Sequence, residues 1–339
     1  MSLISLLRKK NTKKLFTTPS HSGSFFIFHK FYQWYKYDIS EVDAYNPEEV
    51  LIKAESEAAQ IYGTKYTKFL TNGSTSGVIA SVLTSRCKKI LVWKNSHPCH
   101  QNACKLAGAT TIEYSLDIDT SIGTNRAITP EKVETLLEEN AADGIIITSP
   151  TYEGFAANIK EIKNICDKHN VKLIVDEAHG ALYPFSEELP ESAVKYADYT
   201  IQSLHKTAGG INPTALLHSN DADPTEFLGM INTTSPSYPM LATIEANIRF
   251  LNSSRGKKQI ENLITNIKRL NFKQINDDIT KILIKKEGLT GYQLSEILFD
   301  KFNIEDERTN DVTTMLLCGI GTTKEKLEHL NKALKKLKI

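Results

Sequence analysis

The string Ser203-Leu204-His205-Lys206-Thr207 follows a short apolar run that reads as a strand. A lysine just beyond a strand lies at the rim of an α/β sheet, where ligands bind. Its amine forms an imine with an aldehyde cofactor, and burial can lower its pKa from ~10.4 toward that of a usable base. Ser203 and His205 beside it offer hydrogen bonds to a phosphate. A single lysine carries little weight, because most are solvated. The run Lys172-Leu-Ile-Val-Asp176-Glu177-Ala178-His179-Gly180 adds a carboxylate at the end of a buried strand. A buried carboxylate has to meet a cation or a proton donor. A protonated pyridine nitrogen is one such partner; a magnesium ion or a turn amide is another.

Three further strings follow strands in the same way. Thr71-Asn72-Gly73-Ser74-Thr75-Ser76-Gly77 leads into an apolar helical run. Small hydroxyl residues and free amides at a helix start make an anion site, and this one lacks the lysine of a nucleotide P-loop. A plain capped helix is the competing reading. In Asn95-Ser96-His97-Pro98-Cys99-His100 an imidazole can stack on an aromatic cofactor. The same segment could hold zinc through His97, Cys99, His100 and Cys104, but it lacks paired CxxC knuckles, and no metal is expected. Thr148-Ser149-Pro150-Thr151-Tyr152-Glu153-Gly154 reads as an ordinary turn when taken alone. The order of all five decides the reading, since the ends of parallel strands converge on one crevice.

The elements that position these strings are strands expected at 89–93, 110–114, 144–148, 172–175, 199–203 and 214–218. Helices alternate with them, including 129–140 and 159–169. Short apolar runs separated by helices predict a mostly parallel sheet covered on both faces. Asn46-Pro47 should open a helix that Gly63 ends. After about residue 237 the pattern changes to helices at 238–252 and 256–270. A strand (279–285), a helix (291–302), a strand (313–319) and a helix (324–337) follow. The expected division is an arm at 1–46 rich in aromatic residues, a large α/β domain at 47–253, and a small α+β domain at 254–339.

The chain has 339 residues, about a quarter of them charged, with a net charge of +1. That balance does not suggest a nucleic-acid partner. Five cysteines, at 87, 99, 104, 166 and 318, show no disulfide-framework spacing and fit a cytoplasmic protein with reduced thiols. The N-terminal Met-Ser-Leu-Ile-Ser-Leu-Leu run precedes its basic residues, the reverse of a signal peptide. No stretch is long and apolar enough to suggest a membrane span.

The strings TNGSTSG, NSHPCH, TSPTYEG, VDEAHGA, QSLHKT, TTSPSYPMLATIE and GLTGYQL together resemble the pyridoxal-phosphate (PLP) enzymes of fold type I, the aspartate-aminotransferase fold. They are most similar to the bacterial ornithine/lysine/arginine decarboxylases, from about residue 40 to the end. The resemblance implies that Lys206 is the Schiff-base lysine and that Asp176 binds the pyridine nitrogen. It places His97 on one face of the ring and Ala178 on the other, with His179 close to the reacting carbons. Ser74, Thr75, Ser203 and His205 hold the phosphate, with Ser76 beside them. In such dimers the segment Thr234–Tyr238 reaches into the neighbouring site, so Thr234 and Ser235 join the cofactor set. The sequence departs from the family at Leu182, where a second histidine is usual, and at Lys94 and Pro98 around the stacking histidine. Pro19-Ser20-His21-Ser22-Gly23 stands for a fuller Pro-Gly-His-Lys-Gly, and the chain is shorter than most members.

The implied activity is decarboxylation of a basic amino acid, lysine, ornithine or arginine, by a homodimer. A basic substrate calls for an acidic group at the far end of the pocket, and Glu153, Glu305 and Asp306 are candidates. Transamination or aldol cleavage on the same fold is the enzymatic alternative, and a degenerate binding or regulatory protein is the other.

Overall fold

The run Ile145-Ile146-Ile147 forms the middle of a central strand with both faces covered. Ile145 and Ile147 pack with Leu173 and Val175 on one side, and Ile146 packs with Ile174 on the other. All six are fully buried. This period of two, with neither face polar, is what a sheet between two helical layers requires.

The computed structural model describes residues 14–16 and 49–339. The proposed helix start at Asn46-Pro47 and the aromatic residues of the N-terminal arm lie outside the described residues. The strands are β1 (Lys14–Leu15), β2 (Tyr66–Leu70), β3 (Lys89–Trp93), β4 (Thr110–Tyr114), β5 (Ile118–Asp119), β6 (Thr124–Asn125) and β7 (Gly144–Thr148). They continue with β8 (Lys172–Asp176), β9 (Tyr199–Ser203), β10 (Ala215–Ser219), β11 (Lys281–Ile284), β12 (Ile304–Glu305), β13 (Arg308–Thr309) and β14 (Thr314–Leu317). The helices are α1 (Glu49–Tyr62), α2 (Gly73–Ser85), α3 (Cys99–Leu106), α4 (Pro130–Glu139), α5 (Ile159–Lys168) and α6 (Leu204–Thr207). After them come α7 (Thr225–Ile231), α8 (Tyr238–Asn252), α9 (Ser254–Ile267), α10 (Gly291–Phe302) and α11 (Lys324–Leu337).

Among the described residues the main sheet has seven strands in the order β2-β10-β9-β8-β7-β3-β4. Strand β10 runs antiparallel to both β9 and β2, and the other pairings are parallel. The fold is thus α/β with a mostly parallel sheet, as expected. Local signals set many helix starts. Thr129 accepts a hydrogen bond from the Lys132 amide and Asn158 from the Glu161 amide, each capping the helix that follows.

Beyond α8 the chain bends at Ser253, which caps α9 through the Gly256 amide. The tail forms the antiparallel sheet β11-β14-β13. Strand β1 pairs in parallel with β12, and Phe16 is buried beside it. One apolar core runs through both parts, joining Leu204 and Leu216 to Ile244 and Ile248 and then to Ile282, Leu316 and Leu330.

Candidate active site

Strand β8 delivers Asp176 to the carboxyl edge of the main sheet. The Ala178 amide donates to its Oδ1 at 3.1 Å, and His100 Nε2 lies 2.8 Å from its Oδ2. Burial pushes the carboxyl pKa up, but the His100 hydrogen bond and the charges of His100 and Lys206 outweigh it. The net shift is below the usual carboxylate range.

Strand β9 ends at Ser203, and α6 then carries Lys206 to the same edge. Lys206 Nζ lies 3.1 Å from His179 Nε2. Burial lowers the Lys206 pKa, against opposing pulls from the charges of Asp176 and Glu307. Burial also holds His179 well below the ordinary histidine value, helped by the positive charges of Lys206 and Lys281. A neutral His179 can therefore accept a hydrogen bond at Nε2 from Lys206. The ring of Tyr152 meets His179 edge-on at 5.0 Å between centroids, and the Arg308 guanidinium lies 4.4 Å from the Tyr152 centroid.

The anion-binding end is built by α2. It opens at Gly73, whose φ of +75° turns the chain from strand to helix, and the Asn72 side chain does not cap it. The first amides of α2 thus face the cavity with Ser74 and Thr75. The hydroxyls of Ser74 and Ser203 are hydrogen-bonded to each other. His205 Nδ1 is 3.1 Å from the Thr214 carbonyl, to which it donates, which leaves Nε2 for a ligand. His97 Nδ1 accepts from the Cys99 amide at 3.2 Å, so a neutral His97 carries its proton on Nε2.

Ser74, Thr75, His97, Asp176, Ala178, His179, Ser203, His205 and Lys206 line one cavity of about 260 Å³. Ser76 does not: its hydroxyl is spent on the Gly73 carbonyl at 2.8 Å, inside the helix. Thr234 and Ser235 are exposed and lie outside this chain's cavity. Of the four zinc candidates, Cys104 is buried in the apolar core beneath the sheet. Among the described residues, donor atoms of Cys99, His100 and Asp176 fall within 4.8 Å of one another. Burial pushes the Cys99 thiol up to about 12, which disfavours the thiolate a metal needs. Of the proposed distal acids, none lines the cavity. Glu153 is buried and pairs with Arg308 at 3.2 Å, and Asp306 accepts from the Ser295 and Thr309 hydroxyls. The Glu305 carbonyl accepts from the Phe16 amide.

The donor set suits a phosphorylated pyridine aldehyde: an amine, a carboxylate held ionised, an imidazole, and hydroxyls at a helix start. Comparison with known proteins agrees. Residues 5–284 match the family model for the Orn/Lys/Arg decarboxylase major domain. The chain belongs to the Orn/Lys/Arg decarboxylase family. It is 31% identical to arginine decarboxylases of Bacillus anthracis and Bacillus cereus over 87% of its length, spanning 66% and 70% of theirs. The constitutive lysine decarboxylase of E. coli shares the fold, with a TM-score of 0.75 at 18% identity, over 99% of this chain and 60% of that one. A structure of SPT with PLP also superposes, with a TM-score of 0.70 at 14% identity, over 96% of this chain and 88% of that one.

Several residues that line the cavity or touch its lining were given no part in the site by the sequence. His100 was visible only as a possible zinc ligand, and it meets Asp176 from the first turn of α3. Asn212 and Pro213 line the cavity because antiparallel β10 starts at the edge where its neighbours end. Tyr152 sits in a string that looked like a plain turn. Arg308 comes from β13, about 150 residues downstream in sequence, and nothing near it in sequence marks it.

Proposed function

We propose that this chain binds PLP through Lys206 and removes the α-carboxyl group of a basic amino acid as CO₂, leaving the amine. The carrying observation is that Lys206, Asp176 and His179 converge in one cavity beside the start of α2, in a chain of this family. Lys206 would carry the cofactor on its amine, and Asp176 would meet the ring nitrogen. His97 and Ala178 would take the two ring faces. Ser74, Thr75, Ser203, His205 and the first amides of α2 would hold the phosphate.

When bound, the cofactor supplies an electron sink for the pair left behind by the departing carboxylate. The chain's own groups do the rest. Asp176, ionised and fixed by His100 and the Ala178 amide, keeps a positive charge at the ring nitrogen favourable. Lys206 and His179 hold one proton between Nζ and Nε2, 3.1 Å apart, and can return it to the α-carbon. Tyr152 walls the cavity beside them.

The substrate class rests on the family match over residues 5–284 and on the arginine decarboxylases the chain resembles. The deciding experiment is incubation with PLP and a panel of amino acids, with products read by mass spectrometry. The amine should form from a basic amino acid without a keto acid. A keto acid, or turnover only of acidic or small neutral amino acids, refutes the reading.

A further inference from the structure

Lys281 and Asp278 are both fully buried, and the proposed reaction uses neither. Lys281 Nζ donates to Asp278 Oδ2 and, at 3.0 Å, to the backbone carbonyl of His179. The Tyr183 hydroxyl donates to the same Oδ2 at 2.7 Å. The Thr280 amide and hydroxyl donate to Oδ1 at 2.9 and 2.6 Å. Both carboxylate oxygens are thus satisfied. A buried ion pair costs desolvation, and well-packed apolar residues of similar volume are often as stable or more so. Stability is therefore a weak reason for placing charges here. An apolar pair could not hold the carbonyl of His179, whose imidazole lies 3.1 Å from Lys206.

The same segment grips the chain behind Tyr152. Asn276 Nδ2 donates to the Glu153 carbonyl, and the amides of Asp277 and Asp278 both donate to the Gly154 carbonyl at 3.0 Å. Gly154 has a φ of +89°, and a Cβ there would lie 2.8 Å from Asn276 Nδ2 and 3.0 Å from Lys281 Cδ. Glycine permits this approach. Residues 276–281 therefore hold the backbone behind two rings that meet each other in the cavity.

We propose that Lys281, held by Asp278, is a positioning residue: its ammonium pins the His179 carbonyl and so fixes the imidazole against Lys206. The inference rests on the reading that His179 and Lys206 share a proton during turnover. The test is Lys281→Met combined with Asp278→Asn, which leaves no lone buried charge and keeps an acceptor for Tyr183. The expected result is retained PLP binding, KM within about threefold, and kcat lower by about tenfold or more. The His179 ring-nitrogen resonance, assigned by its loss in His179→Gln, should also shift in the cofactor-free protein. A purely structural pair would lower the melting temperature and leave both kcat and that resonance unmoved in the folded protein, which overturns the proposal. If the double variant does not fold, Tyr183→Phe removes one bond to Asp278 and takes its place. It should give the same resonance shift with a smaller loss of kcat, about threefold, and an unmoved resonance overturns the proposal. Should the wild type fail to decarboxylate any amino acid, the functional reading falls, while the resonance still decides whether Lys281 positions His179.

Discussion

Lys206 is drawn toward neutrality by burial while Asp176 is drawn toward ionisation by His100, so a group at the end of β8 and one just past the end of β9 carry opposite tendencies. An amine that must attack an aldehyde and a carboxylate that must face a cation need this division. Two outcomes follow at the residue scale. Borohydride reduction of the PLP-loaded protein and peptide mapping should find the label on Lys206, and Lys206→Ala should abolish it; label on another lysine removes the assignment. Asp176→Asn should retain cofactor yet lose most turnover, because a neutral amide no longer favours the ring proton. Activity within about threefold of wild type, only ~0.65 kcal/mol of barrier, would show that the carboxylate charge is not needed.

The string Gly288-Leu289-Thr290-Gly291-Tyr292-Gln293-Leu294 shows at the scale of an element why a motif looks as it does. Thr290 caps α10 by accepting from the Gln293 amide, and the Gln293 side chain returns a bond to the Thr290 amide, a complete capping box. Gly291 sits so close to the β13–β14 connection that a Cβ would lie 2.2 Å from the Asn310 carbonyl and 2.4 Å from that of Thr313. Both obstacles are backbone and cannot swing aside. Gly291→Ala should therefore destabilise the protein by about 1–3 kcal/mol, the usual range for overpacking. Thermal melts check this, and an unchanged melting temperature would mean the connection relaxes freely. Activity per folded molecule should stay near wild type, because Gly291 is not among the residues lining the cavity.

On the scale of the whole molecule, the shared core means that the part before Ser253 and the part after it bury apolar surface against each other. We propose that the small unit begins at this bend but unfolds together with the large one, giving a single calorimetric transition; two resolved transitions would show independent domains. We also propose a homodimer in which Ser235, exposed in this chain, reaches the neighbouring cavity. Mixing Lys206→Ala with Ser235→Trp should then restore activity in hybrid dimers, since one site would hold neither defect. Hybrids that stay inactive, or an active monomer by light scattering, count against it.

The strand-by-strand order of the site was legible in the sequence. Asp176, Lys206 and His97 each follow an apolar run, and parallel strands bring such ends to one edge whatever the details of packing. The helices capped by Thr129, Asn158 and Thr290 were legible too, because capping is local. Strand β2 was missed: its sequence, Tyr-Thr-Lys-Phe-Leu, carries a lysine in its middle and lacks the purely apolar run of its neighbours. The cavity's remaining walls depended on tertiary structure. Asn212 and Pro213 arrive through the reversed direction of β10; behind the walls, His100 reaches Asp176 from α3 and Arg308 reaches Tyr152 through the fold of the tail back onto the sheet. Ser76 shows the converse, since its place in a motif did not fix which way its hydroxyl turns. The sequence by itself determined which residues reach the carboxyl edge and in what order, because strand direction and period are local properties of the chain. Only the tertiary structure decided which partners meet them there, because burial, charge and hydrogen bonding at that edge are set by other elements, such as α3, whose His100 is 76 residues from Asp176.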